Sequence, residues 1–328
     1  MMRALRPVVW NTASRVLDTF VVRGPKARPS TTPRLSYAVE TPYSAGLEKQ
    51  DSLTKYLVTP SQTHGTVPGS LVCHLPLRTA SKESVANIAK QKFHVCGPMV
   101  DDAENNVGWR QLSASWGNLL QDTYMGDGGK YRSRRYATFG WRSDQQNLIR
   151  MPHMPLFQTI DVNTLNGGKT RWFAPVEEST VTNSVFHNII SQAVSVFTHR
   201  EIQEGRTADW FIEVDQMRIV AQPHAVGNPT PEGIHTDGTD YFLAMIVDRK
   251  NITGGRTTIY NGNREPMFET TLRLPSSAVF VNDREDSMHD VSPIACCGGE
   301  AGYRDVMILS FTNRVRPGSI ERRFGLSA

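Results

Sequence analysis

The sequence predicts a mainly β fold with flanking helices, whose core is a double-stranded β-helix, or jelly roll. Two observations carry this prediction. Residues 210–311 contain seven short strand-like stretches at regular spacing, separated by turn-forming residues. The residues before 210 show helical periodicity instead. Regularly spaced short strands with turn signals are typical of two-sheet jelly rolls and related barrels, which can hold a small ligand between their sheets.

The strand predictions rest on short apolar and β-branched runs that are bounded by glycine, asparagine and proline. The predicted strands are residues 210–221, 241–249, 256–260, 268–274, 278–282, 288–294 and 306–311. An earlier run, residues 130–140, follows a glycine-rich turn and mixes basic with aromatic residues. It is interpreted either as a strand lining an anion or substrate pocket, or as a solvated edge whose aromatic residues pack inward.

Three helices are predicted before residue 210. Residues 81–93 and 107–120 show moderate apolar periodicity. From residue 183 to residue 198, apolar side chains recur at i, i+3 or i+4, and i+7, which is the pattern of one buried helix face. We expect that face to pack rather than to hold a ligand. A hairpin-like excursion is predicted for residues 157–173.

The chain is divided into four predicted segments. Residues 1–36 are rich in arginine and hydroxyl residues and poor in acids, which predicts a disordered basic tail or a transit peptide. Residues 37–124 form a helical or irregular N-terminal extension, residues 125–315 the jelly-roll domain and residues 316–328 a C-terminal tail. The first segment predicts a mitochondrial location, and the cytoplasm is the alternative.

The charge distribution gives no reason to expect a nucleic-acid-binding surface. The chain has a net charge of +4, and residues 1–35 carry seven basic residues and one acidic residue, so the remainder carries −2. A nearly neutral body lacks the basic face that nucleic acid requires. We expect no membrane span, since no apolar run approaches about 18 residues. The four cysteines lack CxxC spacing, which predicts reduced thiols in an intracellular compartment.

One short motif contains candidate metal ligands. His235 and Asp237 are two residues apart and flanked by glycines, and in an extended chain such residues point to the same side. His289 follows on a later predicted strand. Two histidines and one carboxylate leave coordination positions open, as in the facial triad of non-heme Fe(II) oxygenases. His199 and Glu201 have the same spacing, but they come at the end of an apparently helical segment, where i and i+2 do not face each other.

A longer series of motifs runs in order through residues 125–315. It comprises Tyr-Arg-x-Arg-Arg-Tyr at 131–136, Phe-Gln at 157–158, Gly-Gly at 167–168, Pro-Thr-Pro-Glu-Gly-Ile-His-Thr-Asp-Gly at 229–238, Arg-x-Asn-Ile-x-Gly-Gly at 249–255, Asn-Asp-Arg at 282–284, Met-His at 288–289 and Tyr-Arg-Asp-Val at 303–306. Each motif is weak alone, but the order is specific. The series resembles the 2-oxoglutarate/Fe(II) dioxygenase family typified by bacterial L-isoleucine 4-hydroxylase.

The resemblance implies Fe(II), 2-oxoglutarate and O2 as the cofactor and co-substrates of a hydroxylase that releases succinate and CO2. It implies His235, Asp237 and His289 as the catalytic iron ligands, and Arg304 as the anchor for the distal carboxylate of 2-oxoglutarate. A planar guanidinium can hold a carboxylate through two hydrogen bonds. Without the resemblance, Arg304 would be interpreted as a surface strand arginine.

Relatives in that family hydroxylate free aliphatic L-amino acids, so we expect a small-molecule substrate, an amino acid. Such a substrate needs a cation for its carboxylate and an acid for its ammonium group. Arg134 or Arg135 is the candidate cation, and Glu232 or Asp240 is the candidate acid.

Two other functions stay open at this point. A hydroxylase of protein or peptide side chains would need an open groove. A non-enzymatic jelly-roll module would hold its metal for structure, but structural sites fill their coordination with protein ligands, and no fourth ligand is evident beside the triad. Asp283 and Asp290 are candidates for orienting the ligand imidazoles.

Overall fold

A large antiparallel sheet dominates the fold in the computed structural model, which describes residues 69–284 and 287–325. The strands are β1 (Ser70–His74), β2 (Phe93–Cys96), β3 (Leu120–Gln121), β4 (Arg132–Arg142), β5 (Asn147–Arg150), β6 (Asp209–Ala221), β7 (Tyr241–Lys250), β8 (Ile252–Gly254), β9 (Thr257–Asn261), β10 (Pro266–Thr270), β11 (Ala278–Asn282), β12 (Ser287–Val291), β13 (Ile294–Cys296) and β14 (Gly302–Asn313). The large sheet has the order β1-β5-β4-β6-β14-β7-β11-β2, and β3 pairs with β4. The mainly β prediction is confirmed.

Two small sheets, β10-β9-β12 and β13-β8, complete the strand architecture of the described residues. Side chains from β9 and β12 line one cavity together with side chains from the large sheet. This is the two-sheet arrangement predicted for a jelly-roll core. The strand predicted at residues 288–294 divides at Pro293, which has no N–H to donate to a ladder, so β12 and β13 join different partners.

Side chains alternate between two faces along the central strands β4, β6 and β14, as the pleat requires. One face is apolar and packs under the helices; it includes Phe139, Trp141, Ile212, Val214, Leu309 and Phe311. The opposite face lines the cavity; it includes Arg132, Arg134, Glu213, Asp215, Arg304 and Ser310. The same strands therefore supply the hydrophobic core and a polar cavity wall.

The helices are α1 (Lys82–Gln91), α2 (Val107–Ala114), α3 (Glu178–Val181), α4 (Ser184–Gln203) and α5 (Ser319–Phe324). Asn183 caps α4, because its Oδ1 accepts the N–H groups of Val185 and Phe186 at 2.9 and 3.2 Å. The apolar stripe of α4 is buried against the large sheet. The three helix predictions are confirmed, although the second helix ends at Ala114 in a 3-10 turn. No helix among the described residues has both the length and the apolar character to cross a bilayer.

The structure adds detail to the predicted segments. The described part of the predicted N-terminal extension, residues 69–124, contributes β1, β2 and β3 to the large sheet. The predicted C-terminal tail contains α5, whose Ile320 and Phe324 are buried and pack against Phe211. The hairpin-like excursion is reduced to one bridge between Leu156 and Arg171. The predicted tail of residues 1–36 lies outside the described residues.

Glu201, near the end of α4, is a fully buried carboxylate that joins the helix to the sheet. It accepts hydrogen bonds from Tyr241 and Arg284, both at 2.6 Å. Arg206 and Asn313 donate to its other oxygen. Burial alone would raise the pKa of Glu201, but the two guanidinium groups hold that pKa below its usual value.

We expect Glu201→Ala to lower the free energy of unfolding by about 3–5 kcal/mol, because the buried Arg284 loses the one carboxylate to which it is hydrogen-bonded among the described residues. Urea unfolding followed by circular dichroism measures the change. Glu178→Ala is the control, since its carboxylate is an exposed partner of Arg150 and its loss costs less than about 1 kcal/mol. Equal effects in the two variants would contradict the role of Glu201.

Candidate active site

A backbone bridge brings the two candidate histidines together. The N–H of His235 donates to the carbonyl of His289 at 3.1 Å, and the reverse hydrogen bond is 2.9 Å long. Residues opposed in this way place their side chains on the same face, and the two imidazole rings lie 4.3 Å apart between centroids. Asp237 follows two residues after His235 and points to the same side. One isolated β-bridge thus brings together candidate ligands that are distant in the sequence.

The three predicted ligands form a compact donor set. One ligand atom from each of His235, Asp237 and His289 lies within 4.8 Å of the others. Nε2 of His235 is 3.5 Å from Oδ1 of Asp237, and Nε2 of His289 is 3.8 Å from Oδ2. Two imidazole nitrogens and one carboxylate oxygen, gathered on one side, fit an octahedral Fe(II) with open positions.

In each of the two imidazoles, Nδ1 points away from the triad, so that Nε2 faces the centre of the three candidate ligands. Nδ1 of His235 donates to the carbonyl of Gly233 at 2.8 Å. Nδ1 of His289 faces Oδ1 of Asp283 at 3.8 Å, and neither buried atom has a hydrogen-bond partner among the described residues. The other oxygen of Asp283 accepts the N–H of Asp237 at 2.9 Å. Outward contacts of this kind fix ring orientation in metal sites.

The electrostatics of the triad favour a bound cation. Burial alone would lower the pKa of His235, but Asp237 and Glu232 raise it to about 9. Burial and the neighbouring His235 lower the pKa of His289 to about 3. Burial alone would raise the pKa of Asp237, and the two imidazoles lower it instead. A metal ion between these groups would supply the positive charge that Asp237 attracts.

Arg304 lies on β14 and lines the same cavity. Its side chain is buried, and its Nε has no hydrogen-bond partner among the described residues. Burial and the nearby Arg249 lower the pKa of Arg304 to about 10, so it remains charged at neutral pH. A Cβ at Gly255, where φ is +70°, would lie 2.8 Å from Arg249 and 3.4 Å from Arg304. The Gly254-Gly255 motif therefore leaves room for the two guanidinium groups.

Comparison with known proteins decides the family. A family model described as 2OG-Fe dioxygenase matches residues 113–310, more than half of the chain. The chain belongs to the 2OG-Fe dioxygenase family. It is therefore a 2-oxoglutarate-dependent dioxygenase, and it uses Fe(II), 2-oxoglutarate and O2. This confirms the resemblance and excludes the non-enzymatic metal-binding module.

Individual relatives agree with the family assignment. L-isoleucine-4-hydroxylase from Bacillus thuringiensis is 24% identical over 215 residues, which cover 65% of this chain and 86% of that protein. A bsmA homologue from Methylobium petroleophilum PM1 shares the fold with a TM-score of 0.63 and 24% identity, over 74% of this chain and 96% of that one. The structure of IDO from Bacillus thuringiensis gives a TM-score of 0.61 and 20% identity, over 71% and 98% respectively.

The two arginines that the sequence suggested as ligands for the substrate carboxylate, Arg134 and Arg135, lie on opposite faces of β4 in this dioxygenase. Arg134 lines the cavity and pairs with Asp215. Arg135 points to the opposite face of β4, because adjacent strand residues face opposite ways. There it pairs with Glu177 at 3.0 Å and donates to the carbonyls of Asn118 and Pro175. Arg135 therefore cannot contact a molecule in the cavity.

The two candidate acids, Glu232 and Asp240, also lie in different places, one in the cavity and one outside it. Glu232 lines the cavity, with Oε1 3.6 Å from Nε2 of His235 and Oε2 buried without a partner among the described residues. Asp240 is buried elsewhere, at the start of β7. It accepts hydrogen bonds from the backbone of Asn313 and from the side chains of Ser319 and Arg322. Asp240 anchors α5, and it is not part of the cavity.

Sequence reasoning missed most of the charged cavity wall of the dioxygenase. The missed residues of the lining are Arg171, Glu213, Asp215 and Arg323, with Arg132 noted only within a motif; Asp122, the buried partner of Arg132, was also missed. Two of them, Glu213 and Asp215, stand at alternate positions of an apolar strand, a pattern that marks one polar face and could have identified them. Asp290, the other candidate for orienting an imidazole, instead accepts a hydrogen bond from Tyr260 at 3.1 Å.

We expect Asp283→Ala to weaken metal binding about 10- to 100-fold, because the variant loses the carboxylate behind His289 and the acceptor for the Asp237 backbone. Anaerobic calorimetric titration with Fe(II) measures the dissociation constant. Asp290→Ala is the matched control, adjacent to His289 in sequence but turned toward Tyr260, and should bind metal normally. Unchanged affinity in Asp283→Ala would contradict the positioning role.

Proposed function

We propose that this dioxygenase hydroxylates a free aliphatic L-amino acid, with His235, Asp237 and His289 holding the iron and Arg304 holding 2-oxoglutarate. One observation carries the proposal. A cavity between the two sheets combines the triad, apolar walls, and two groups with an atom that has no hydrogen-bond partner among the described residues, Nε of Arg304 and Oε2 of Glu232. When bound, Fe(II) supplies oxygen activation coupled to the conversion of 2-oxoglutarate to succinate and CO2.

The position of Arg304 supports its role as the 2-oxoglutarate anchor. Arg304 approaches Gly255 at the edge of the small sheet, and Thr257 also lines the cavity there. Thr257 pairs with Val291, which is one pleat along β12 from His289. One pleat is about 7 Å. A short dicarboxylate such as 2-oxoglutarate is long enough to span this distance between the triad and the guanidinium of Arg304. The two N–H edges of Arg304 would hold the distal carboxylate.

The enclosed character of the cavity supports a small molecule over a protein side chain. The segment between β5 and α3 forms one wall, with Leu156, Gln158 and Asn163 all buried. The buried side chains of this segment cover one side of the cavity, which favours a small molecule over an extended chain. Apolar side chains complete the lining, among them Met217, Ile219, Val306 and Ile308. These walls would exclude water from the reacting centre.

Two features support an amino acid within the small-molecule class. The unpaired oxygen of Glu232 lies beside the triad and fits an ammonium group. One relative of the chain is named for the hydroxylation of L-isoleucine. The apolar walls fit an aliphatic side chain, which would be placed with a C–H bond toward the iron.

We expect oxygen-dependent succinate formation from 2-oxoglutarate to rise when Fe(II) and a matching aliphatic L-amino acid are supplied, and to fall to background in His235→Ala. His224→Ala is the control, since that imidazole is exposed on a turn, and it should behave as the unmodified protein. Near-normal succinate in His235→Ala would reject the triad. Succinate formation that requires His235 but does not rise with any amino acid would reject the amino-acid substrate class and leave the triad assignment intact.

Arg304→Gln should raise the dissociation constant of 2-oxoglutarate at least about 30-fold, because removing one partner of a buried charge pair costs about 2–5 kcal/mol. The absorption band of the Fe(II)–2-oxoglutarate complex, titrated without oxygen, gives this constant. Arg256→Gln is the control, as its exposed side chain pairs with Glu269 outside the cavity. Normal 2-oxoglutarate affinity in Arg304→Gln would place the anchor elsewhere.

A further inference from the structure

Three buried arginines and two buried acids form a cluster on the β4 side of the cavity. Arg132, Arg134 and Arg171 are each less than 5% exposed. Nε of Arg132 donates to Asp122 at 2.8 Å. Arg134 pairs with Asp215, and its guanidinium also lies 4.2 Å above the ring of Phe173. Three guanidinium groups share two carboxylates, so the cluster carries one positive charge in excess.

The excess charge is localised on Arg171. Among the described residues its hydrogen-bond acceptor is the neutral amide oxygen of Gln158, 2.6 Å from Nη2, and its Nε has no partner. Arg132 and Arg134 also have one unpaired nitrogen each, but both contact a carboxylate. Burial and the two neighbouring arginines lower the pKa of Arg171 to about 10. Asp215 and Asp122 offset part of this lowering, but neither carboxylate forms an ion pair with Arg171. A buried guanidinium without a carboxylate in contact is costly, which favours an anionic ligand.

The guanidinium of Arg171 is held in place before any ligand binds. Paired backbone hydrogen bonds, both 2.9 Å long, join Arg171 to Leu156. Gln158 is itself fixed, because its amide oxygen also accepts from Asn163 at 3.1 Å. A guanidinium fixed by neutral groups and facing a cavity is preorganised for a planar anion such as a carboxylate.

We propose that Arg171 binds the carboxylate of the amino-acid substrate, in a subsite separate from the 2-oxoglutarate anchor. This inference rests on the proposed function and adds the residue that selects the substrate class. The enzyme thereby has two anion sites of different origin, Arg304 on β14 for the co-substrate and Arg171 beside β4 for the substrate.

The sheet register keeps the two sites apart. Ile219 on β6 pairs with Arg132 on one side and with Arg304 on the other. Two strand spacings, about 10 Å, therefore separate the backbones of Arg132 and Arg304. Arg171 belongs to the cluster on the Arg132 side. The apolar side chains of Met217 and Ile219 lie between the two ends of the wall, where an aliphatic chain would pack.

Other cavity arginines are less suited to this role. Arg323 is bound by both oxygens of Glu213, at 2.7 and 2.6 Å, and Tyr136 donates to the same carboxylate. Arg134 is already neutralised by Asp215. Arg171 remains as the guanidinium of the β4-side cluster without a carboxylate partner in the described part of the chain.

The test compares carboxylates with their carboxamides, which keep the ammonium group and lose the anion. The full-length enzyme, holding Fe(II) and 2-oxoglutarate without oxygen, is titrated with L-leucine, L-isoleucine, L-valine and L-methionine, and with each carboxamide. The shift of the Fe(II)–2-oxoglutarate absorption band reports binding. We expect at least one carboxylate to bind about 30-fold or more tightly than its amide, and Arg171→Gln to lose that preference.

Two variants separate recognition from structure. Arg135→Gln alters the neighbouring arginine on the outer face and should keep the full preference. Arg171→Lys keeps the charge but not the planar fork, and should retain part of the preference. The dissociation constant of 2-oxoglutarate should change less than threefold in Arg171→Gln.

Three outcomes would overturn the subsite. They are an unchanged preference for carboxylates in Arg171→Gln, a loss of 2-oxoglutarate affinity as large as the loss of amino-acid affinity, and the absence of binding by every carboxylate tested. None of these removes the oxygenase itself, since His235-dependent succinate formation is measured separately. Succinate formation that does not depend on His235, with the carboxylate preference intact, would instead reject the iron triad and keep the subsite.

Discussion

The alternation of side chains along three adjacent strands is the constraint on which the rest of the structure depends. On β4, β6 and β14, one set of positions packs under the helices and the other set faces the cavity. A shift of one residue in register would move Arg134, Asp215 and Arg304 into the apolar core. The large aromatic residues on the helix side, such as Trp141 and Phe311, fix the register and thereby aim the charged groups.

The cavity contains more charge than stability alone would favour. Buried ion pairs contribute little net stability, since desolvation offsets most of their attraction. Here they hold one another in position: Asp122 and Asp215 fix Arg132 and Arg134, and Glu213 fixes a third guanidinium. The arrangement is better explained as preorganisation of a polar wall, which lets a charged small molecule enter without the protein reorganising.

Local spacing made the triad predictable, whereas the rest of the wall depends on long-range geometry. His235, Asp237 and His289 stand in motifs whose chemistry is visible in a few residues, and the large strands and helices follow from their periodicity. Arg134 and Arg135 could not be told apart, because the choice requires the register of β4. Arg171 and Arg323 lie in an irregular segment and a short terminal helix, where no periodicity indicates which way a side chain points. The mainly β core was predictable, but its β1–β3 and α5 additions were not.

The wall is drawn from nearly the whole described length of the chain, and this has a consequence for synthesis. Its charged members begin at Arg132 and end at Arg323, a residue of α5 whose guanidinium binds Glu213. On the ribosome, His289 is added to the nascent chain before α5, which begins at Ser319. Until α5 is present, Glu213 lacks its cationic partner Arg323. The polar wall of the cavity is thus completed only after the three candidate iron ligands have been synthesised.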